Sequence, residues 1–360
     1  MKPIEVAVVG TGWCGGIRAD TLAAHALVGG LHIAEVEPER LSELKARLNP
    51  ISATRDYKEL LNRNEIQAVY ISATPESTHY PMAKDCLNAG KHVFLEKPIA
   101  MTLPEADELI ELAKKMRLKF TIGYSQRFNP KYAYVRKSIR DGTIGKPVSA
   151  LVSRNITRAL GSKITGRSKL SPAAMEATHD LDFVLWCLEP AKPIRVYSQV
   201  NYGALQEQIG ASGGGSVPDN QWVMVTMDSG LSLVVGGGWS LPLGYPNFST
   251  TWIEVIGTEG AVMVDDSHKD VVLNTVAKGM QLPMSTMPGE FVEHTYAGPM
   301  APETVHFLEA VVYDREVMVK PEHARMVMEV YIAADLSAER NQPVDLPLRS
   351  SKGKSLEKAA

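Results

Sequence analysis

The sequence predicts a doubly wound parallel α/β domain followed by an α+β domain with an open-faced, largely antiparallel sheet. Three observations carry this reading. Short apolar, β-branched runs alternate with helical patterns between residues 4 and 124. A glycine-rich hexapeptide, Gly10-Thr11-Gly12-Trp13-Cys14-Gly15, stands between the first run and the first helical pattern. From Val148 onward the apolar runs follow one another across glycine and proline turns, which is the grammar of an antiparallel sheet.

Bulk properties bound the problem. A chain of 360 residues accommodates two domains of about 150 residues each. Its 44% hydrophobic and 22% charged content is that of a globular protein with a full core. A net charge of −3 argues against a nucleic-acid partner. No apolar run approaches the roughly 18–20 residues of a membrane span, and no apolar signal core follows the amino terminus. Cys14, Cys86 and Cys187 are odd in number and lack metal-ligand spacing. Reduced thiols in a cytoplasmic protein without a metal site are therefore expected.

In chain order, Ile4 to Val9 is a buried parallel strand that runs into the hexapeptide, and a helix is expected over Gly16 to Ala26. Strand, G-x-G-x-x-G and helix in succession form the dinucleotide fingerprint. One glycine makes the tight turn, one admits the pyrophosphate, and one lets helix and strand pack closely while the helix amino terminus faces the anion. Gly10, Gly12, Trp13, Cys14 and Gly15 are thus cofactor-binding candidates. The next strand, Gly30 to Ala34, ends at Glu35, 20 residues after Gly15, where an acid binds the ribose hydroxyls. Val36 is neither basic nor small and polar, so NAD is expected over NADP. Glu37 is a competing acid, and Arg40 leaves NADP as an alternative.

Ile66 to Ile71 is a further strand. It leads into Thr74 and Pro75 and a helix from Thr78 to Ala89 that carries His79. All three are candidate cofactor contacts at the strand-end face, although His79 also fits a helix-terminal residue without chemistry. His92 to Leu95 then leads to Glu96-Lys97-Pro98. A charged pair at the carboxyl end of a buried strand lies where open α/β sheets bind ligands. A partly desolvated lysine there is suited to proton transfer, and the Lys97-Pro98 bond is a candidate cis peptide. Thr102-Leu103-Pro104-Glu105 opens a helix as a capping box, and Phe120 to Tyr124 is the last strand of the first domain.

The second domain is expected over 125–348, after a first domain of 1–124, with a polar tail at 349–360. Its strands are expected at Val148–Val152, Ile194–Gln199, Gln221–Met227, Leu231–Gly236, Thr251–Ile256 and Ala261–Asp265, with a mobile loop at Gly210–Pro218. Pro130 to Asp141, Glu303 to Tyr313 and Glu322 to Glu339 read as helices. An open-faced sheet also predicts self-association, as a homodimer or homotetramer. Ala173 to Leu188 is a helix whose Glu176, His179 and Asp180 fall at i, i+3 and i+4, on one face. Histidine exchanges a proton near neutral pH, and an acid one turn away can hold its tautomer. The stretch Arg154 to Lys169 holds Arg154, Arg158, Lys163, Arg167 and Lys169 and no acid. It is expected as a basic loop, either solvated or binding an anionic or hydroxylated substrate.

These residues carry a resemblance. Gly10 to Gly15, Thr74-Pro75, Ala89 to Val93, Glu96-Lys97-Pro98, Gly123 to Phe128, His179 to Asp182, Val255 to Gly260 and Ala333 to Ala338 resemble the glucose-fructose oxidoreductase / inositol dehydrogenase / rhizopine-catabolism (Gfo/Idh/MocA) family over nearly the whole chain. The resemblance implies a Rossmann domain with NAD. It also implies hydride transfer between nicotinamide and a carbinol carbon of a small polyhydroxylated substrate: a sugar, sugar acid or cyclitol. It makes Lys97 the catalytic lysine and His179 the catalytic histidine. Arg127 and the basic stretch with Arg154 and Arg158, together with Asp180, would orient the substrate. Typical members carry an aspartate four residues before the histidine, where this chain has Met175. Glu176, Asp180 and Asp182 are the candidates to replace it. Relatives that cleave glycosides through transient redox, and non-catalytic NAD-binding regulators, are the competing functions. Intact Lys97 and His179 weigh against the regulator.

Overall fold

The computed structural model describes residues 2–205, 217–243, 245, 249–266, 273–281, 290–293 and 295–348. The loop expected at Gly210–Pro218, apart from its last two residues, and the polar tail from 349 lie outside the described residues. The chain forms two compact units, each discontinuous in sequence: Met1–Asn129 with Thr286–Arg325, and Pro130–Ser285 with Met326–Ala360.

The first unit is built on six parallel strands: β1 (Ile4–Val9), β2 (Val28–Ala34), β3 (Ser52–Thr54), β4 (Ile66–Ile71), β5 (His92–Glu96) and β6 (Phe120–Gly123), in the order β3-β2-β1-β4-β5-β6. This is the doubly wound sheet expected from the alternation. Strands β1, β4 and β5 are apolar almost without interruption because both sheet faces are covered. β3 was not expected. Ser-Ala-Thr has no apolar run, and its pairing to β2 alone makes it a strand. The first helix starts at Trp13, three residues before its expected start.

The helix Met300–Val312 belongs to this unit. Its Phe307 and Leu308 enter the core with Val6, Val8, Ile33, Tyr70 and Phe94. Phe307 meets Tyr70 edge-on with centroids 5.3 Å apart, and the Tyr70 hydroxyl donates to the Thr304 carbonyl at 3.1 Å. Linear reading placed this helix with the second half of the chain. Its apolar face is satisfied only by the parallel sheet's core. The capping box is formed as expected: Thr102 N donates to Glu105 Oε2 at 2.9 Å, and Thr102 Oγ1 accepts from Glu105 N.

In the second unit the main sheet contains β7 (Pro147–Thr157), β8 (Pro193–Asn201), β9 (Asn220–Met227), β10 (Ser232–Leu241), β11 (Ser249–Gly257) and β12 (Ala261–Asp265). Short hairpin strands follow as β13 (Leu273–Thr275), β14 (Gly279–Gln281), β15 (Glu290–Val292) and β16 (Thr295–Ala297). The last of these pairs counts with the first unit. The terminal β17 (Val344–Asp345) completes the main sheet in the order β12-β11-β7-β10-β9-β8-β17. Only β7 and β10 pair in parallel. Along β7, Ala150, Val152, Arg154 and Ile156 are buried, whereas Leu151 is exposed. In register with Leu151 lie Glu254 on β11 and Val234 on β10; Met263 on β12 and Met224 on β9 continue the row. Met224, Met263, Trp222 and Ile256 are exposed on the described chain, so one sheet face is open and largely apolar.

The basic stretch is not a loop. Arg154 to Thr157 complete β7, and Arg158–Thr165 is a helix. Pairing on both edges extends β7 beyond the apolar run that marked it. Close packing holds the helix: a Cβ at Gly161 would lie 2.4 Å from the Cβ of the buried Trp239.

Candidate active site

At the end of β1 the glycines behave as the hexapeptide requires. Gly10 has φ +76°, and a Cβ there would lie 2.7 Å from Ala73 Cα. A Cβ at Gly15 would lie 1.9 Å from the Gly10 carbonyl oxygen, whereas one at Gly12 would meet nothing within 4 Å. Gly10 and Gly15 therefore fold the loop, and Gly12 leaves its outer side open to a close-approaching ligand. The helix Trp13–Ala23 begins with no side-chain cap and no acid in its first turn. Its amino-terminal N–H groups are accordingly available to an anion. Cys14 is half-buried, and burial followed by the Glu96 charge pushes its thiol up to about 12. It is the second residue of this helix.

Glu35 sits buried at the end of β2. Its Oε2 accepts from Thr11 N at 2.7 Å and Thr11 Oγ1 at 2.6 Å, and its Oε1 accepts from Glu37 N at 3.0 Å. Burial by itself would raise this carboxyl, but the Thr11 and Glu37 bonds and the Arg40 charge hold it below the usual range. An ionised carboxylate bonded to the glycine-rich loop can accept ribose hydroxyls and would repel a 2′-phosphate. Arg40 Nη1 lies 3.4 Å from it. The residues present thus fit NAD.

At the end of β5, Glu96 is held by Arg18, which sequence reading missed. The Arg18 guanidinium is fully buried and contacts Glu96, donates to Glu303 Oε2 at 2.8 Å and to Thr304 Oγ1 at 2.9 Å, and lies 3.9 Å over the Phe94 ring. The only sequence signal for this clamp was an arginine in an otherwise small and apolar helix start. Lys97 follows, half-buried, at a cis Lys97-Pro98 bond; Thr74-Pro75 is also cis and exposed. His79 is buried, with Nδ1 2.8 Å from the Pro98 carbonyl and Nε2 3.0 Å from the Ala73 carbonyl. It links the segments that follow β4 and β5. Arg127 is buried and donates to the Met318 carbonyl at 3.2 Å.

In the second unit, Glu176 lies in a π-helical turn, Ala173–Ala177, ahead of the α-helix Thr178–Cys187 that carries His179. The single α-helix expected over Ala173 to Leu188 is therefore a π-helical turn followed by an α-helix. Trp239 Nε1 donates to Glu176 Oε1 at 3.1 Å. Asp180 is buried and takes two bonds from the buried Arg154, Nε to Oδ2 at 2.8 Å and Nη2 to Oδ1 at 2.7 Å. Arg154 is thus a core ion-pair residue. Arg158, half-buried, donates to the Ser240 carbonyl at 3.2 Å, and Lys163, Arg167 and Lys169 are exposed.

A parallel sheet with an open glycine turn after β1 and a bonded acid after β2 defines a dinucleotide-binding Rossmann protein. Residues 4–124 match the family model described as the oxidoreductase family with an NAD-binding Rossmann fold (Gfo/Idh/MocA), and residues 132–263 match its C-terminal domain. The chain belongs to the Gfo/Idh/MocA family and is an NAD-binding oxidoreductase. It is 26% identical to the myo-inositol 2-dehydrogenase of Thermotoga maritima, over 95% of this chain and 98% of that protein. It is also 26% identical to the scyllo-inositol 2-dehydrogenase (NAD(+)) of Bacillus subtilis, over 96% and 97%. A scyllo-inositol dehydrogenase from Lactobacillus casei, solved with NAD(H) and scyllo-inositol, has the same fold, with TM-score 0.80 and 21% identity over 96% of this chain and 99% of that one. Among the described residues no helix is long and apolar enough to cross a membrane.

Proposed function

We propose that this protein is an NAD-dependent dehydrogenase of a cyclitol or related sugar, oxidising one carbinol to a carbonyl. The observation that carries the reading is the Glu35 carboxylate fastened to Thr11 of the glycine-rich loop. Dehydrogenase names among full-length relatives support it. NAD, when bound, supplies the hydride acceptor. His179 takes the hydroxyl proton, and Lys97 hydrogen-bonds the same oxygen and offsets its developing negative charge. Glu176 holds the His179 tautomer in place of the missing aspartate. Arg127 and Arg158 orient the substrate, whereas Arg154 and Asp180 support the helix that carries His179. Gly10, Gly12, Trp13, Cys14, Gly15, Thr74, Pro75, His79 and Glu96 build the nucleotide side.

The open apolar face around Leu151, Met224 and Met263 supports a homodimer or homotetramer formed through the second sheet. Three cysteines without disulfides support a cytoplasmic location. The test is a screen of myo-inositol, scyllo-inositol, aldoses and uronates with NAD and with NADP, followed at 340 nm. Steady NADH formation with an inositol or sugar is expected. Copurifying NAD with no net NADH from any polyol would overturn the reading and favour transient-redox glycoside cleavage or a regulatory role.

A further inference from the structure

In the second unit, a buried polar chain leads to the turn that carries Glu176. Gln221, fully buried in β9, accepts from Ala173 N with its Oε1 at 3.0 Å. Its Nε2 donates to Asp335 Oδ1 at 3.0 Å and to Ser198 Oγ at 3.2 Å. Asp335 lies on the helix Pro321–Arg340, with the Ser171 side chain beside it. Ser171 in turn accepts from Ala174 N through Oγ at 3.2 Å and from Met175 N through its carbonyl at 2.9 Å. That helix is itself pinned to β8, because Ser198 N donates to Ser337 Oγ at 3.0 Å.

The amide of Gln221 has one orientation that satisfies all of these partners. Turned over, its NH2 would face the Ala173 N–H and its oxygen would face a carboxylate. The Ala173 N–H and Asp335 together set that orientation. The first residue of the π-helical turn is therefore tied through Gln221 to an acid on a distant helix. Withdrawal from water, offset in part by the Gln221 bond, pushes Asp335 up to about 6.

We propose that Asp335, acting through Gln221, is a positioning residue that fixes the π-helical turn Ala173–Ala177 and thereby the placement of Glu176 and His179. The assignment rests on the proposed roles of Glu176 and His179. Asp335→Leu removes the acceptor while filling the space. Asp335→Asn keeps an oxygen that can accept from Gln221 Nε2.

The experiment compares full-length wild type, Asp335→Leu and Asp335→Asn at pH 7.5. It measures hydrogen–deuterium exchange of the peptide 171–179, Tm, and kcat and KM for NAD with myo-inositol as substrate. Asp335→Leu is expected to exchange faster in that peptide and to lose about 10- to 100-fold in kcat, the scale of small misplacement of a reacting group. Its KM for NAD should stay unchanged, and its Tm should fall because the buried Gln221 donor loses its acceptor. Asp335→Asn should restore both protection and kcat. A purely structural role would lower Tm and leave kcat of the folded enzyme unchanged. Unchanged exchange, or unchanged kcat in Asp335→Leu, overturns the proposal. His179→Ala, run alongside, separates the two readings. If it is inactive while Asp335→Leu is fully active, the positioning role falls and the functional reading stands. If it is active, both fall.

Discussion

Glu35 and Thr11 are joined twice, through the Thr11 main-chain N–H at 2.7 Å and its hydroxyl at 2.6 Å. The acid after β2 and the loop after β1 thus form one rigid surface. Glu35→Ser removes the carboxylate proposed to accept the ribose hydroxyls and takes away the acid beside Arg40. KM for NAD should rise by roughly 10- to 100-fold, the value of a lost charge-assisted hydrogen bond, and the NADP-to-NAD ratio of kcat/KM should rise with it. Steady-state kinetics with both cofactors check this. An unchanged ratio would mean that Glu35 does not face the ribose.

Lys97 follows the Glu96 that Arg18 clamps. Lys97→Ala should lower kcat by about 10²–10⁴-fold, the usual scale for lost acid–base catalysis. NAD titration of the variant should remain near wild type. Turnover close to wild type would take Lys97 out of the mechanism.

Arg154 and Asp180 are both buried and bonded to each other twice. Arg154→Ala strands a carboxylate in the core, which should cost about 3–5 kcal/mol in urea unfolding. Replacing both, Arg154→Met with Asp180→Leu, should recover most of that loss. A loss of about 1 kcal/mol or less in the single variant is the figure for an exposed pair and would contradict the buried assignment.

His92 and His306, both of the first unit, serve as acceptors. His92 Nδ1 accepts from Lys119 N at 2.9 Å, and His306 Nε2 accepts from Met318 N at 2.9 Å. Burial, followed by nearby cations, lowers both below the ordinary 6.5. The unfolded chain therefore takes up protons near pH 6.5 that the folded chain refuses. Stability should be full above that pH and fall as pH drops through it toward the lowered values. Tm measured from pH 7.5 to pH 5 should decline, and His306→Gln, whose amide oxygen can still accept but does not titrate, should decline less. Equal slopes would remove His306 from the effect.

Local signals sufficed where a short stretch satisfies its own physics. The run Ile4 to Val9 with its glycine turn, the strands from Ile66 and His92, the Thr102–Glu105 capping box and the helix Pro130–Arg140 ahead of Gly142 at φ +73° all form close to where they were read. They failed where a partner far along the chain decides. Ser52–Thr54 is a strand because β2 pairs with it. Arg154 read as a substrate-binding or solvated residue in a basic run until Asp180 accepted two of its N–H groups. Ala173 to Leu188 read as one α-helix, whereas its first residues form a π-helical turn.

The sequence by itself determined the dinucleotide-binding half, the acid after its second strand, the open-faced second sheet and the residues that resemble a dehydrogenase's lysine and histidine. The first three are encoded by periodicity or by spacing within about 20 residues, and the last rests on resemblance to the family. Only the tertiary structure decided that Arg18 clamps Glu96 with help from Glu303, that Met300–Val312 completes the first core, and that Asp335 and Gln221 hold the turn before His179. Buried charges and amides take partners by position in space, and a single chain read in order carries no trace of which distant group will arrive beside them.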